Sequence, residues 1–404
     1  MEPSESMGWV TGSNELTTRW AGALDGHGGF VVSGACVWPL LALLASGAAG
    51  EGLAELTDAI GIDSADGITA ALELVATLRS SPAASAAIGV WAAERVGLLP
   101  EWLRQLPPGT AGPLTGDSVR DQAALDRWAA EQTDGLIDSC PVTVGPATMV
   151  VLMSALLVRT TWTQPFVDGS MDWSGAPLAP DRADDPDHRV AGLSRWSDDL
   201  ATASVIDHDG RPYGRFVCSG TDDIDVHLVS GAPEDEAGVV LAAAVAAIEQ
   251  PHLAVSAAEL PVGTVAGCLE VTEVTDSRGG GHDDVSVVVP RFDLAADHDL
   301  TRLAVVFGLR TVSGGGSHFP GIATEPLAVD AAVQRITAAF SREGFVAAAI
   351  TAIAMLRGMP LPAEPRRHRR ISVVHNRPFG FVAVHRDTGL VLVAGWVTDP
   401  EPLA

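Results

Sequence analysis

Residues able to do chemistry are thinly spread in this chain. Neither a G-x-S-x-G elbow nor an H-E-x-x-H pair occurs, so two common hydrolase arrangements are absent and no catalytic residue is expected. Two stretches gather potential metal ligands, DDPDH at Asp184–His188 and GGGHDD at Gly279–Asp284. Acidic text among glycine and proline reads as solvated loop, so no metal site and no cofactor is expected. The four cysteines (Cys36, Cys140, Cys218, Cys268) stand far apart with no C-x-x-C pair, which tells against a zinc centre and against a disulfide scaffold. The remaining concentration of charge is PRRHRR at Pro365–Arg370. It reads as a solvated loop or as a local anion-binding patch, which makes Arg366–Arg370 a candidate polyanion site.

The most unusual stretch carries almost no chemistry. GFVAAAITAIAMLRGMPLP begins at Gly344 and has no charge before Arg357. It is too short and too rich in alanine to span a bilayer. It is either an ordinary buried helix or strand, or a segment held out of the fold that enters a sheet later. In extended form Phe345, Ala347, Ala349, Thr351, Ile353 and Met355 would share one face.

The elements around it come from a chain of 404 residues, 47% hydrophobic, which is enough to bury a substantial core. The formal charge is -26, and all 25 basic residues are arginine. Such an acid excess argues against nucleic-acid and anionic-membrane partners, because phosphate contacts need a basic face. The opening residues, MEPSESMGWV, have neither a basic nor an apolar leader region, so a cytosolic protein is expected on this reading. The first third reads as helices: TTRWAGALDG, then two stretches broken at Gly47–Gly50 with Glu51 in the next first turn, then DQAALDRWAAEQTDGLID stopping at Gly135. TMVVLMSALLV suits a strand buried on both faces. Short strands are expected from about 168 to 236. VSVVVPRFDL reads as a strand ended at Pro290, HDLTRLAVVFGL as a helix, and SGGGSHFPGI as a loop. The tail gives two strands around RDTG. With helices first, mixed strands later and no internal repeat, the chain reads as one α+β domain over residues 1–404.

The tail, NRPFGFVAVHRDTGLVLVAGWVTDP, resembles the C-terminal signature of the serpin family through Pro378, Phe379, Gly395, Val397 and Pro400. The likeness extends upstream. LDRWAAEQTDGLI is similar to a family helix through Trp128, Thr133, Gly135 and Ile137. VVLMSALLVRTTWTQPF resembles the long central strand, with Trp162, Pro165 and Phe166 in place. VVVPRFDL matches the family's pro-lys-phe strand with Arg291 for the lysine, and AAVQRITAAFSREGFVAAA matches the strand that feeds the reactive loop.

A divergent, bacterial-type serpin is what this resemblance implies: helices, a large central mixed β-sheet, smaller sheets, and an exposed reactive-centre loop at about 344–370. The implied function is that of a protease inhibitor, not an enzyme. A serine or cysteine protease cuts the loop and is trapped as a covalent complex when the loop inserts into the main sheet. The alternative is a non-inhibitory serpin acting as a binding or chaperone-like protein. The family also implies a monomer and an extracellular location, at odds with the absent leader.

By residue, the hinge would be Gly344, Phe345, Ala347, Ala348, Ala349 and Thr351, and the bait Arg357, Gly358 and Met359, with Arg357 favoured because glycine fits few specificity pockets. Ser33, Cys36, Ser154, Trp162, Arg291, Gln334 and Arg342 would form the region where the sheet opens. Three departures stand out. Phe345 replaces a small hinge residue, so its burial is expected to overpack the core by roughly 1–3 kcal/mol and to slow insertion. Arg291 and Arg342 put two like charges where the family pairs lysine with glutamate. Cys36, Ser154 and Gln334 replace a serine, asparagine and histidine cluster that Ser33 alone retains.

Overall fold

The computed structural model describes residues 7–26, 28–135, 138–140, 142–174, 189–276, 281–329, 331–346 and 366–403. Its helices are α1 (Gly8–Ala23), α2 (Gly34–Ala45), α3 (Gly50–Ile60), α4 (Gly67–Ser80), α5 (Pro100–Leu103), α6 (Ser118–Gln132) and α7 (Ala237–Glu249). Strands are numbered in chain order and form three sheets. The first is antiparallel and runs β1 (Phe30–Val32), β19 (Leu390–Val397), β18 (Phe379–His385), β9 (Ile224–Ser230), β8 (Arg211–Ser219), β7 (Ala203–His208), β10 (Ala254–Ser256). The second runs β11 (Val265–Ala266), β12 (Leu269–Asp276), β17 (Arg366–Val374), β13 (Asp284–Pro290), β6 (Arg189–Ser197), β5 (Val167–Asp172). The third runs β14 (Phe292–Asp299), β15 (Val333–Phe340), β16 (Gly344–Val346), β4 (Val150–Thr161), β2 (Ala84–Ala93), β3 (Ala111–Leu114). The α+β class is as expected, although the mixed third sheet is smaller than the first.

Local chemistry sets the boundaries. Ser33 caps α2 by accepting from the Cys36 amide, and Asp117 caps α6 by accepting from Val119 and Arg120. Gly61, at φ +71°, ends α3 in the left-handed conformation that glycine adopts without strain. Pro290 is the last residue of β13. Lacking an N–H, it ends the ladder, and after Arg291 the chain leaves the second sheet for the third. HDLTRLAVVFGL is not the expected helix. His298 and Asp299 close β14, Asp299 caps a single 3₁₀ turn at Leu300–Leu303, and turns follow to Gly308 at φ +65°. The β-branched pair Val305–Val306 and that glycine leave no run able to propagate an α-helix.

The third sheet meets the first through aromatic rings. Phe292 is fully buried and lies 5.4 Å from Phe340, 5.1 Å from Phe381 and 6.0 Å from Phe379, so one side chain joins the third sheet to the first. Phe292→Ala should therefore lower the stability of the intact protein by about 3–5 kcal/mol, read as an earlier urea midpoint. A shift below 1 kcal/mol would show that the ring is dispensable.

Two histidines lie against this interior, His375 fully buried and His227 half-buried. Burial, aided by Arg377, pushes His375 down to about 3, and burial aided by Arg215 pushes His227 down to about 3. Both are neutral when folded, whereas the unfolded chain takes up protons near the ordinary value of 6.5. The stability is thus fully present above pH 6.5 and is lost as pH falls toward 3, at about 1 kcal/mol per pH unit for each group. Urea midpoints measured across that window should fall with acidification, and more shallowly in His375→Gln. An equal slope in the variant would exclude His375 as a contributor.

Candidate functional site

The third sheet lacks a strand in its middle. β16 is antiparallel to both neighbours, so β4 and β15 run parallel to each other on either side of it. Gly344, Phe345 and Val346 pair with Thr161, Thr160 and Arg159, while Phe345 and Val346 also pair with Phe340 and Ala339. Below Arg159, no ladder among the described residues joins Val150–Val158 of β4 to β15. A slot remains, plugged at one end.

The plug is held by its neighbours on both sides. The Ser341 amide donates to the Gly344 carbonyl at 3.0 Å, closing a tight turn. Trp162 donates its amide to Glu343 O at 2.9 Å and its indole Nε1–H to Ser341 O at 3.0 Å, and the Phe166 amide reaches Arg342 O at 2.9 Å. Gly344 is required by close approach, since a Cβ there would lie 2.2 Å from the Thr160 carbonyl oxygen. Phe345 is fully buried, with its ring 5.8 Å from Phe381. This overturns the expected overpacking, because the core already houses the ring and its burial is not a step still to come.

The feared like-charge pair is also resolved. Arg342 meets Asp168 at 3.2 Å and Glu343 at 2.6 Å, which hold its guanidinium above the usual range, and Arg291 meets Glu401 at 3.0 Å. Each arginine has its own carboxylate, so neither needs the other.

Further down, Ser33, Cys36, Ser154 and Gln334 do come together. Gln334 accepts from the Ser33 amide at 3.1 Å and donates to the Ser33 carbonyl at 2.9 Å, tying β15 to the start of α2. Ser33 Oγ donates to Leu392 O at 2.6 Å and accepts from the Cys36 amide at 3.1 Å. Ser154 of β4 donates to the Cys36 carbonyl and lies 3.1 Å from Cys36 Sγ. Burial pushes the Cys36 thiol up to about 11, so it stays protonated at neutral pH. The two sheet halves are thereby fastened to α2 rather than to each other.

Below this cluster the slot widens into a cavity of about 480 Å³, reached by Leu40 and Leu44 of α2, Trp128 of α6 and Val333 of β15. Successive residues of β4 point to opposite faces, with Met153 beside Cys140 and Ser154 beside Cys36. The strand is therefore not buried equally on both faces, as the sequence suggested. Val151, Met153 and Ala155 are buried, whereas Leu152, Ser154 and Leu156 are half-buried beside the opening.

The loop boundaries need correcting at both ends. Gly344–Val346 lies in the third sheet, and Arg366–Arg370 forms the start of β17 in the second. The arginine cluster is neither loop nor free patch. Arg367 meets Glu273 at 2.9 Å, Arg369 meets Asp283 at 2.8 Å, and Arg370 meets both Asp276 and Asp284 at 2.8 Å. Parallel pairing sets Asp284 opposite Arg370, so the end of GGGHDD is an ion-pairing segment and Asp284 is buried. Ala347, Ala348, Ala349, Thr351, Arg357, Gly358, Met359, Ile137 and the DDPDH stretch lie outside the described residues. Among the described residues no group of three potential metal ligands converges.

Sequence reasoning missed Ser341, Asp168 and Glu401, which fix the plug and its arginines; no spacing marks partners this far apart in the chain.

The family model described as "Serpin (serine protease inhibitor)" matches residues 15–172 and 269–400. The chain belongs to the serpin family. A putative serpin-Z12 of Oryza sativa subsp. japonica is 28% identical over 427 residues, covering 96% of this chain and 89% of that protein. Two solved structures share the serpin fold across 98% of both chains: cleaved Serpin 42Da, with TM-score 0.70 at 15% identity, and human thyroxine-binding globulin complexed with thyroxine, with TM-score 0.71 at 14% identity.

If the buried ring anchors the plug, Phe345→Thr removes contacts worth several kcal/mol, near the roughly 3–5 kcal/mol of large-to-small core changes. β16 should then leave the slot, and amide exchange at Phe345 and Val346 should accelerate by at least a hundredfold while β2 stays protected. Unchanged protection at Val346 would mean that the backbone pairing alone holds the plug.

Proposed function

We propose that this serpin inhibits a serine or cysteine protease by reactive-loop cleavage and insertion, acting as a monomer folded as a single domain over residues 1–404. One observation carries the reading: Gly344–Val346 already occupies the top of a slot between two parallel strands, the rest of which no described residue fills. A strand continuing from β16 would be antiparallel to both walls and could pair with each. Each new backbone hydrogen bond contributes about 0.5–1.5 kcal/mol net. Advancing at about 3.3 Å per residue, the cut end would travel tens of ångströms from the cleavage point.

In this reading the protease nucleophile attacks the carbonyl carbon of the bait residue, Arg357, and the amine of Gly358 leaves. The acyl-enzyme ester or thioester is then carried along with the inserting strand. Trapping wins if insertion outruns water attack on that acyl bond. Hinge residues Ala347, Ala348, Ala349 and Thr351 suit rapid passage because they are small. Ser33, Cys36, Ser154, Arg291, Gln334 and Arg342 would let the sheet halves part and close again, since they bond each half to α2 or to local carboxylates, while Trp162 would hold the turn at the plugged end. Polyanion binding at Arg366–Arg370 is disfavoured, because Glu273, Asp276, Asp283 and Asp284 already match three of its guanidinium groups.

A second reading, a non-inhibitory serpin with a binding role, is favoured by Phe345, a bulky residue fixed where mobility would help.

Incubation with a panel of trypsin-, chymotrypsin- and elastase-like proteases separates the two. An inhibitor gives an SDS-stable covalent complex, whereas cleavage without any complex selects the second reading. Arg357→Ala should abolish the complex with trypsin-like proteases and leave folding unchanged, so equal yield would remove Arg357 as the bait. Cutting between Met355 and Met359 should also raise the thermal midpoint sharply, because the product gains a central strand. An unchanged midpoint speaks against insertion.

A further inference from the structure

The cavity beneath the slot has the makings of a ligand site in its own right. Its volume, about 480 Å³, falls within the roughly 300–1,000 Å³ of small-molecule pockets. Four of its lining side chains carry sulfur: Cys36, Cys140, Met149 and Met153. Sulfur is soft and polarizable and packs well against aromatic rings. The burial that pushes Cys36 up to about 11 and raises Cys140 keeps both thiols neutral, so the sulfur surface carries no charge. Arg335, the one charged residue among the described lining residues, is already satisfied by Asp297 at 2.8 and 3.0 Å and by Ser139 at 2.9 Å. An anion entering the cavity would therefore lose water and gain no free cation. Ser154 is one of the polar groups at the upper end, with Thr133 and Gln334. Its hydroxyl donates to the Cys36 carbonyl and accepts from the neutral Cys36 thiol at 3.1 Å, and the second lone pair of the oxygen can accept from a ligand.

We propose that this cavity binds a neutral aromatic small molecule bearing one hydrogen-bond donor, its rings lodged in the slot between Cys36 on one face of β4 and Met153 with Cys140 on the other, and its donor toward Ser154. Such an occupant sits between β4 and β15, in the path of any strand extending from β16. Ligand and inserted loop thus exclude each other. The site itself stands apart from the inhibitory reading; only this competition rests on it.

The probe is N-phenyl-1-naphthylamine, a neutral aromatic with a single N–H, titrated by fluorescence into the intact full-length protein with no protease present. Saturable binding at one molecule per chain is expected. The sulfonated analogue 8-anilinonaphthalene-1-sulfonate should bind at least tenfold more weakly. Leu40→Trp, which fills the α2 side, should weaken the neutral probe at least tenfold. Thr143→Trp, at the exposed rim, tests the same site without touching the core and should slow probe uptake several-fold. Binding that is non-saturable, equal for both probes, or unaltered in both variants overturns the assignment. After the loop is cut, loss of probe binding supports both the site and insertion. Retained binding leaves the site standing and counts against insertion alone.

Discussion

The fold is arranged around two strand edges that face each other with no described strand between them beyond β16. Buried backbone N–H and C=O groups are paired almost without exception in folded proteins. Here β4 and β15 run parallel across a slot that β16 fills only at its end. Parallel strands held this far apart cannot satisfy one another, so the surrounding structure has to keep the slot from either collapsing or filling. Packing alone would favour closure, since unfilled apolar volume is destabilising.

What opposes closure is a set of attachments that bypass the slot. Gln334 fastens β15 to Ser33, and Ser154 fastens β4 to Cys36, so both walls hang from the first turn of α2. At the plugged end, Trp162 and Phe166 hold the Ser341–Gly344 turn through its backbone, while Phe345 sinks its ring toward Phe381. The α2 attachments are local to each wall, and the bonds that cross from the β4 side to the turn after β15 are confined to the plugged end. A wall could therefore shift without breaking the ladder on its far side, where β4 pairs with β2 and β15 with β14.

Electrostatics follows a similar economy. In a chain of formal charge -26 carboxylates outnumber arginines, and near the loop ends Arg342, Arg367, Arg369 and Arg370 each meet one. Arg342 is matched by Asp168 and Glu343 at the plug, and Arg369 and Arg370 are matched by aspartates where β17 begins. Both strands flanking the 347–365 segment are thus anchored before it starts and after it ends. For the pair Arg370 and Asp284 the loss of one partner would cost more than at an open surface, because it would leave a charge uncompensated where Asp284 is almost fully buried.

The sequence by itself determined the family, the α+β class and most element positions, because these depend on local periodicity, caps and breakers: Asp117 before α6, Gly61 after α3, Pro290 at the end of β13. It also brought Ser33, Cys36, Ser154 and Gln334 together, through motif order rather than through any spacing rule, whereas Trp162 lies at the plugged end. What it misjudged was set by contacts distant in the chain. Phe345 looked like an obstruction because its cavity is built by Phe381, and the like charges of Arg291 and Arg342 looked like a defect because Glu401 and Asp168 are remote from them. The arginine run looked like a loop because only strand pairing puts Glu273, Asp276 and Asp284 across from it. Tertiary structure decided these points for one physical reason: burial and Coulomb partners are properties of neighbours in space, and a sequence specifies them only after the sheets have assembled.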